Sequence, residues 1–234
     1  MERNPLIVVG TPRDGEADEN ALLENWRRAQ DTGLGCVIID AEDDNEASAA
    51  SAKKAGAYIY VNREEPEHRT SNYQTESGAE RVAASVNRFD RFYNHDIIIN
   101  VYAKLPPIAA DLIKSLMYPL ANLDVDIATL VMPLTKEDAN SQDVVKVEVD
   151  WFEQNRVHIL TNSRVGRVNS FARNLSDLSQ PVDQLYRHVP IYAYKRASLD
   201  RFVRMEPTSR EMEERLEPER ALANGMRIDA ITVQ

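Results

Sequence analysis

The chain has 234 residues, 43% of them hydrophobic, one cysteine and a formal net charge of −10. That length buries a full core, and the acidic balance argues against nucleic acid or an anionic membrane as partner, because both need a basic face to displace counterions. Cys36 alone makes no internal disulfide, and no apolar run approaches the roughly 20 residues that span a bilayer.

Met1-Glu2-Arg3-Asn4-Pro5 leads into a strand without the apolar core of a secretory signal, so cytoplasmic residence is expected. Leu6 to Val9 reads as the first strand. A helix over Leu22 to Gln30 ends at Asp31-Thr32-Gly33, a C-terminal glycine signal, and Val37 to Asp40 is the next strand. Then come helix Ala47 to Lys54, strand Tyr58 to Val61, helix Gly78 to Phe89, strand Asp96 to Val101 and helix Ala109 to Leu120. Repeated β/α winding of this kind specifies a mostly parallel, Rossmann-like sheet with helices on both faces.

From there the pattern turns antiparallel. Asp126 to Met132 and Val144 to Val149 read as strands, with Arg156 to Thr161 as a hairpin partner across Asp150 to Asn155. Gly166 to Val182 is polar and Ser/Asn-rich, which predicts an exposed arm or loop. A short aromatic strand around Pro190, helices Leu199 to Val203 and Glu211 to Asn224, and a closing strand Met226 to Val233 complete the chain. The expectation is one domain over 1–234, α/β, with a smaller antiparallel dimerisation subdomain near 163–195.

Several segments carry candidate chemistry. After the first strand, Gly10 to Asn20 holds four acids and one arginine, Arg13. Gly10 to Gly15 with Arg13 reads either as an anion-binding nest or as a solvated loop, and it has neither P-loop nor G-x-G-x-x-G spacing. Ser77 and Gly78 open a helix, where Ser77 with Glu80 makes a capping box. Asp40 to Glu46 lacks EF-hand spacing and reads as a solvated helix cap. His68, His95 and His158 have no metal-ligand spacing, and Tyr186, Tyr192 and Tyr194 suit interface packing.

Four of these segments, in order, resemble the CMP-KDO synthetase (3-deoxy-manno-octulosonate cytidylyltransferase) family. Ser77-Gly78-Ala79-Glu80-Arg81 is similar to the family's S-G-T-[DE]-R helix start. Ile97-Ile98-Ile99-Asn100-Val101-Tyr102-Ala103-Lys104-Leu105-Pro106 resembles its V-N-V-Q-G-D-E-P strand. Arg187 to Tyr194 is similar to R-H-x-G-I-Y-[GA]-Y, and Leu216 to Gly225 to L-E-Q-L-R-A-L-x-x-G. The resemblance implies the nucleotide-diphospho-sugar transferase fold, CTP and a sugar acid as ligands, magnesium, and a homodimer built around the R-H-x-G-I-Y strand.

The same resemblance exposes departures. Lys104 stands where the family's strand places its magnesium aspartate, and the second metal aspartate, expected beyond the last strand, is missing before Gln234. A lysine there pairs either with a phosphate or with a local acid. By resemblance, Arg13, Ser77, Gly78 and Lys104 are nucleotide-binding candidates, and His188 and Glu217 sugar-binding candidates; His188 reads equally as a buried structural group. Glu217 is followed by Pro218 where the family has glutamine, and a proline inside helix Glu211 to Asn224 is expected to kink it.

These readings name no catalytic residue, no metal ligand and no cofactor, with magnesium only if activity is retained. The expected function is a catalytically degenerate homologue acting as a structural or interaction protein, homodimeric, with a further protein partner. The alternative is an active or weakly active cytidylyltransferase, or a nucleotide-sugar binder, in KDO activation for lipopolysaccharide or capsule synthesis.

Overall fold

A computed structural model describes residues 4–10, 19–41, 47–61, 78–102, 105–156 and 163–233. In chain order the elements are β1 (Pro5–Gly10), α1 (Glu19–Asp31), β2 (Cys36–Ala41), α2 (Ala47–Lys54), β3 (Tyr58–Val61), α3 (Gly78–Phe89), β4 (Ile97–Tyr102) and α4 (Ala110–Ser115). There follow β5 (Ile127–Pro133), α5 (Lys136–Asn140), β6 (Lys146–Arg156), β7 (Arg164–Ala172) and β8 (Tyr186–Lys195). The chain ends with α6 (Arg196–Phe202), α7 (Ser209–Glu214), α8 (Pro218–Ala223) and β9 (Ile228–Thr232). It forms two compact units, Met1–Lys114 with Lys195–Val203, and Ser115–Tyr194 with Arg204–Gln234.

In the first unit the strands run parallel in the order β3-β2-β1-β4. Their apolar runs are buried along their length, as a sheet covered on both faces requires: Leu6 to Val9 and Ile97 to Ile99 are all 2% exposed or less. Winding proceeds outward from β1 to β3 and then returns to β4. Right-handed crossovers therefore put α3 on the face opposite α1 and α2. Asn25 of α1 holds the stretch after β4, its amide donating to the Leu105 carbonyl at 2.9 Å. Residues 195–203 join this unit through Arg196, whose backbone N–H donates to the Asp96 carbonyl and whose guanidinium donates to Asn87 Oδ1 at 2.6 Å.

The second unit is mixed. β5 pairs antiparallel with β8 and parallel with β9; β9 pairs β7, and β7 pairs β6, both antiparallel. The sheet curls until Lys146 and Val147 of β6 meet Arg187 and Tyr186 of β8. Lys146 is 1% exposed. Its ammonium donates to the Ser141 carbonyl and, at 2.6 Å, to the Arg173 carbonyl, and burial pushes its pKa down.

Three local expectations are corrected here. The partner of β6 is β7, not a hairpin strand over Arg156 to Thr161, of which residues 157–162 lie outside the described residues. The first part of the supposed arm is that strand β7. Its Val165, Val168, Phe171 and Ala172 are buried while Arg164, Arg167 and Asn169 are exposed, and this uneven alternation hid it in the sequence. Only the stretch after Ala172 is irregular, and Glu148 of β6 anchors it by accepting from the backbone N–H groups of Ser179 and Gln180.

The helix expected over Glu211 to Asn224 is two helices. Arg215 takes a left-handed conformation, φ 54°, and ends α7, while Pro218 sits in the first turn of α8. There a missing N–H costs nothing, so the proline starts a helix instead of kinking one.

Candidate functional site

β1 has β2 on one side and β4 on the other, so the direction of winding reverses beside it. Just beyond the carboxyl ends of strands at such a switch point is where open α/β sheets take ligands. Gly10 ends β1 in register with Asp40 of β2 and Tyr102 of β4. Registered residues of a parallel sheet share a face, so Gly10 floors a notch walled by Asp40 and Tyr102. Among the described residues no atom lies within 4 Å of where a Gly10 Cβ would stand.

Helix α3 covers this face with its first turns. Asp40 is fully buried, and its Oδ2 accepts from Nε of Arg81 at 2.8 Å. A second Arg81 nitrogen reaches the Asp40 carbonyl at 3.4 Å. On the other wall the Tyr102 hydroxyl lies 1.8 Å from the position a Gly78 Cβ would take. A side chain at position 78 would have to displace that hydroxyl. Asn100, on the same face, is 1% exposed, and neither amide atom has a protein partner among the described residues.

Of the residues singled out in the sequence, Gly78 stands at this edge, while Arg13, Ser77 and Lys104 lie outside the described residues. Asp40, Arg81 and Tyr102 were missed. The reading of Asp40 as part of a solvated cap is corrected: it is a buried half of an ion pair. A signal existed, because an acid inside the apolar run Val37-Ile38-Ile39-Asp40-Ala41 must find a cation, and Arg81 belongs to the helix-start motif. Glu42 to Glu46 lie outside the described residues.

His188 and Glu217 belong to the second unit. Pro190 lies in β8 where the register against β5 shifts between Thr129 and Leu130, a bulge that accommodates a residue without an N–H. Thr129 Oγ1 donates to the Ile191 carbonyl at 2.8 Å and lies 3.0 Å from His188 Nε2. With its proton committed, the hydroxyl accepts from His188, which fixes the Nε2–H tautomer. The ring is 8% exposed, packed edge-on against Phe171 and beside Tyr192, and burial pushes its pKa down to about 3.

Tyr192 and Tyr194 are also core residues, 4% and 2% exposed, instead of interface residues; Tyr186 is half-buried against Trp151. Glu217 is half-buried at the N-terminus of α8.

The fold of this kind brings magnesium into question. Among the described residues no group of three His, Cys, Asp or Glu side chains converges to hold a metal. The carboxylate at the switch point, Asp40, is engaged by a guanidinium, and the residue two positions beyond β4 is a lysine. Asp40, already held by a guanidinium, is a poor ligand for a divalent cation, which takes oxygen ligands without a competing positive charge.

A family model described as cytidylyltransferase matches residues 27–228. The chain is 32% identical to the 3-deoxy-manno-octulosonate cytidylyltransferase of Paramagnetospirillum magneticum, over 99% of this chain and 90% of that protein. It is 33% identical to the enzyme of the same name from Methylorubrum populi, over 99% and 89%. In structure it is similar to CMP:2-keto-3-deoxy-manno-octonic acid synthetase complexed with CTP, with a TM-score of 0.75, 18% identity, and coverage of 100% of this chain and 90% of that one.

Proposed function

We propose a function from one premise: the chain belongs to the 3-deoxy-manno-octulosonate cytidylyltransferase family. Within that family we read it as a member that keeps the fold and has lost the nucleotidyl transfer, serving instead as a structural or interaction protein. The observation that carries this reading is the charge inventory at the switch point. A triphosphate brings roughly four negative charges and needs cations and a metal to meet them. Here the metal-aspartate position holds Lys104, the buried arginine of the helix-start motif is neutralised by Asp40, and four acids with one arginine follow β1.

Each carboxylate brought to within several ångströms of a phosphate costs about 1 kcal/mol or more even when water screens it. A lysine alone supplies a charge for a phosphate but cannot template attack on the α-phosphorus as a metal does. Retained recognition would run through Ser77, Gly78 and Lys104 for a nucleotide and through Glu217 for a sugar. His188 supports that role less, since its Nε2–H is spent on Thr129.

Calorimetric titration of the full chain with CTP, with and without magnesium, tests this reading. No heat of binding up to millimolar CTP is the expected result; magnesium-dependent micromolar binding, followed by CMP transfer to the sugar acid, overturns it in favour of an active or weakly active enzyme.

The proposed protein is a cytoplasmic homodimer, and no helix among the described residues is long and apolar enough to cross a membrane. β6 supports association. It is an 11-residue strand paired over most of its length on one side only, and it carries half-buried Trp151 and Phe152 under Arg164 and Arg227. Light scattering is expected to give twice the chain mass, and a Trp151→Arg variant the monomer mass; a monomeric parent protein sinks the dimer.

A further inference from the structure

The turn between α3 and β4 lies at the amino-terminal end of β4, away from the switch point, and it displays aromatic side chains that the core of the first unit does not use. Phe92 is 88% exposed and Tyr93 61%. Beside them the exposed Tyr58 stands edge-on to Phe89, at the end of α3, with ring centroids 5.4 Å apart. A turn that only had to lead a helix into a strand is served by small polar residues. Neighbouring exposed aromatics mark a surface that another molecule covers.

The turn is held in place. Asp90 is buried; its Oδ1 accepts from the Asn94 N–H and side-chain amide at 2.9 and 3.2 Å, and its Oδ2 from the His95 N–H at 2.9 Å. Tyr93 has φ 55°, a left-handed conformation rare for a bulky residue. Arg196, itself buried, lies over the Tyr93 ring at 4.4 Å from its centroid. A strained backbone of this kind persists only where its surroundings enforce it, and such positions cluster at functional surfaces. Phe92 and Tyr93 are therefore presented in a fixed geometry, which reduces the entropy lost when a partner binds.

Charge selects the partner. The chain carries a net charge of −10, yet the exposed charged side chains of this turn and the helix end before it are Arg88, Arg91 and Asp96. Asp96 already accepts the Asn4 N–H at 2.9 Å. Arginine beside phenylalanine and tyrosine is the composition of an interface hot spot, and a local excess of positive charge is complementary to carboxylates.

We infer that the Arg91-Phe92-Tyr93 turn is a docking surface for an acidic segment of a protein partner, which sets aliphatic or aromatic side chains on Phe92 and Tyr93 and a carboxylate beside Arg91. The inference rests on the reading of this chain as an interaction protein and supplies the surface and the partner chemistry for it. Selection of a random-peptide phage library on the immobilised full chain, with a Phe92→Ser variant for counter-selection, tests it. The recovered peptides are expected to carry Asp or Glu beside aliphatic or aromatic residues. Synthesised and titrated by fluorescence anisotropy, they lose about tenfold or more in affinity for Phe92→Ser and for Arg91→Glu. They bind Arg91→Lys and Trp151→Arg nearly as they bind the parent, because the charge and the turn are kept.

Phe92 and Arg91 are exposed, so their variants keep the Tm of the parent and the loss is one of binding. Recovery of no Phe92-dependent peptide overturns the inference, as does recovery of basic peptides indifferent to Arg91→Glu. Self-association of the parent that Phe92→Ser abolishes assigns the surface to a second copy and overturns it too. The two proposals fail separately. CTP turnover by the parent removes the non-catalytic reading and leaves the peptide result standing; a missing peptide response removes the docking surface and leaves the absence of turnover standing.

Discussion

Replacing Arg220 with methionine is expected to destabilise the protein by about 3–5 kcal/mol, the cost of leaving one member of a buried ion pair without the other. Arg220 is fully buried in the second unit. Its Nε and one terminal nitrogen grip both oxygens of Glu211 at 2.8 and 2.6 Å, and the other terminal nitrogen reaches the Met205 carbonyl at 3.3 Å. Glu211 is 7% exposed and also accepts from the Thr208 N–H in the capping box that starts α7. One arginine thus holds α7 against α8 and the turn before them. The loss is large because the stranded Glu211 carboxylate stays in a site from which water is excluded. The double variant Arg220→Met/Glu211→Leu is expected to recover most of the stability, because both charges leave together. Urea unfolding of the three proteins measures it; a loss under about 1 kcal/mol for Arg220→Met means the pair contributes as an exposed one does.

The second large effect is a loss of stability in mild acid that comes from His188. Its folded pKa, about 3, lies below the ordinary value of 6.5 because burial disfavours the imidazolium. The unfolded chain therefore binds a proton near pH 6.5 that the folded chain refuses. The stabilisation is fully present above pH 6.5 and drains away as pH falls from there toward 3, at up to about 1.4 kcal/mol per unit. His188→Gln keeps an amide N–H that can reach Thr129 and removes the titration. It is expected to be less stable than the parent at pH 7.5, where shape and packing count, and to close that gap by pH 4.5. Parallel unfolding curves from pH 7.5 to 4.5 refute a buried neutral His188.

Buried carboxyls such as Asp90 titrate in both proteins, so the comparison cancels them. Burial raises the Asp90 pKa, but hydrogen bonds from the backbone of Asn94 and His95 outweigh it and hold the carboxyl below its usual range.

Most of the parallel half was legible because each signal is local. The run Leu6 to Val9, the run at Ile97 to Val101 and the glycine after α1 state strand and helix ends through side-chain periodicity and φ preference alone. The antiparallel half was read less well. β7 alternates imperfectly, since a strand flanked by two others takes part of its burial from a neighbour more than 60 residues away in sequence, such as Ile231 opposite Val165. Pro218 was misread because the proline effect depends on its position in the helix, and Arg215 ends α7 first.

At the site, the sequence by itself determined the family, through four ordered motifs, and the absence of an acid at Lys104. It also determined the overall acidity of the chain. Only the tertiary structure decided the roles of Asp40, Arg81, Tyr102 and His188. Arg81 is 41 residues from Asp40, and His188 is 59 from Thr129. Whether a charged or titratable group serves a ligand or the core depends on which partner the fold brings within about 3 Å and on how much water remains beside it. A linear motif carries neither quantity.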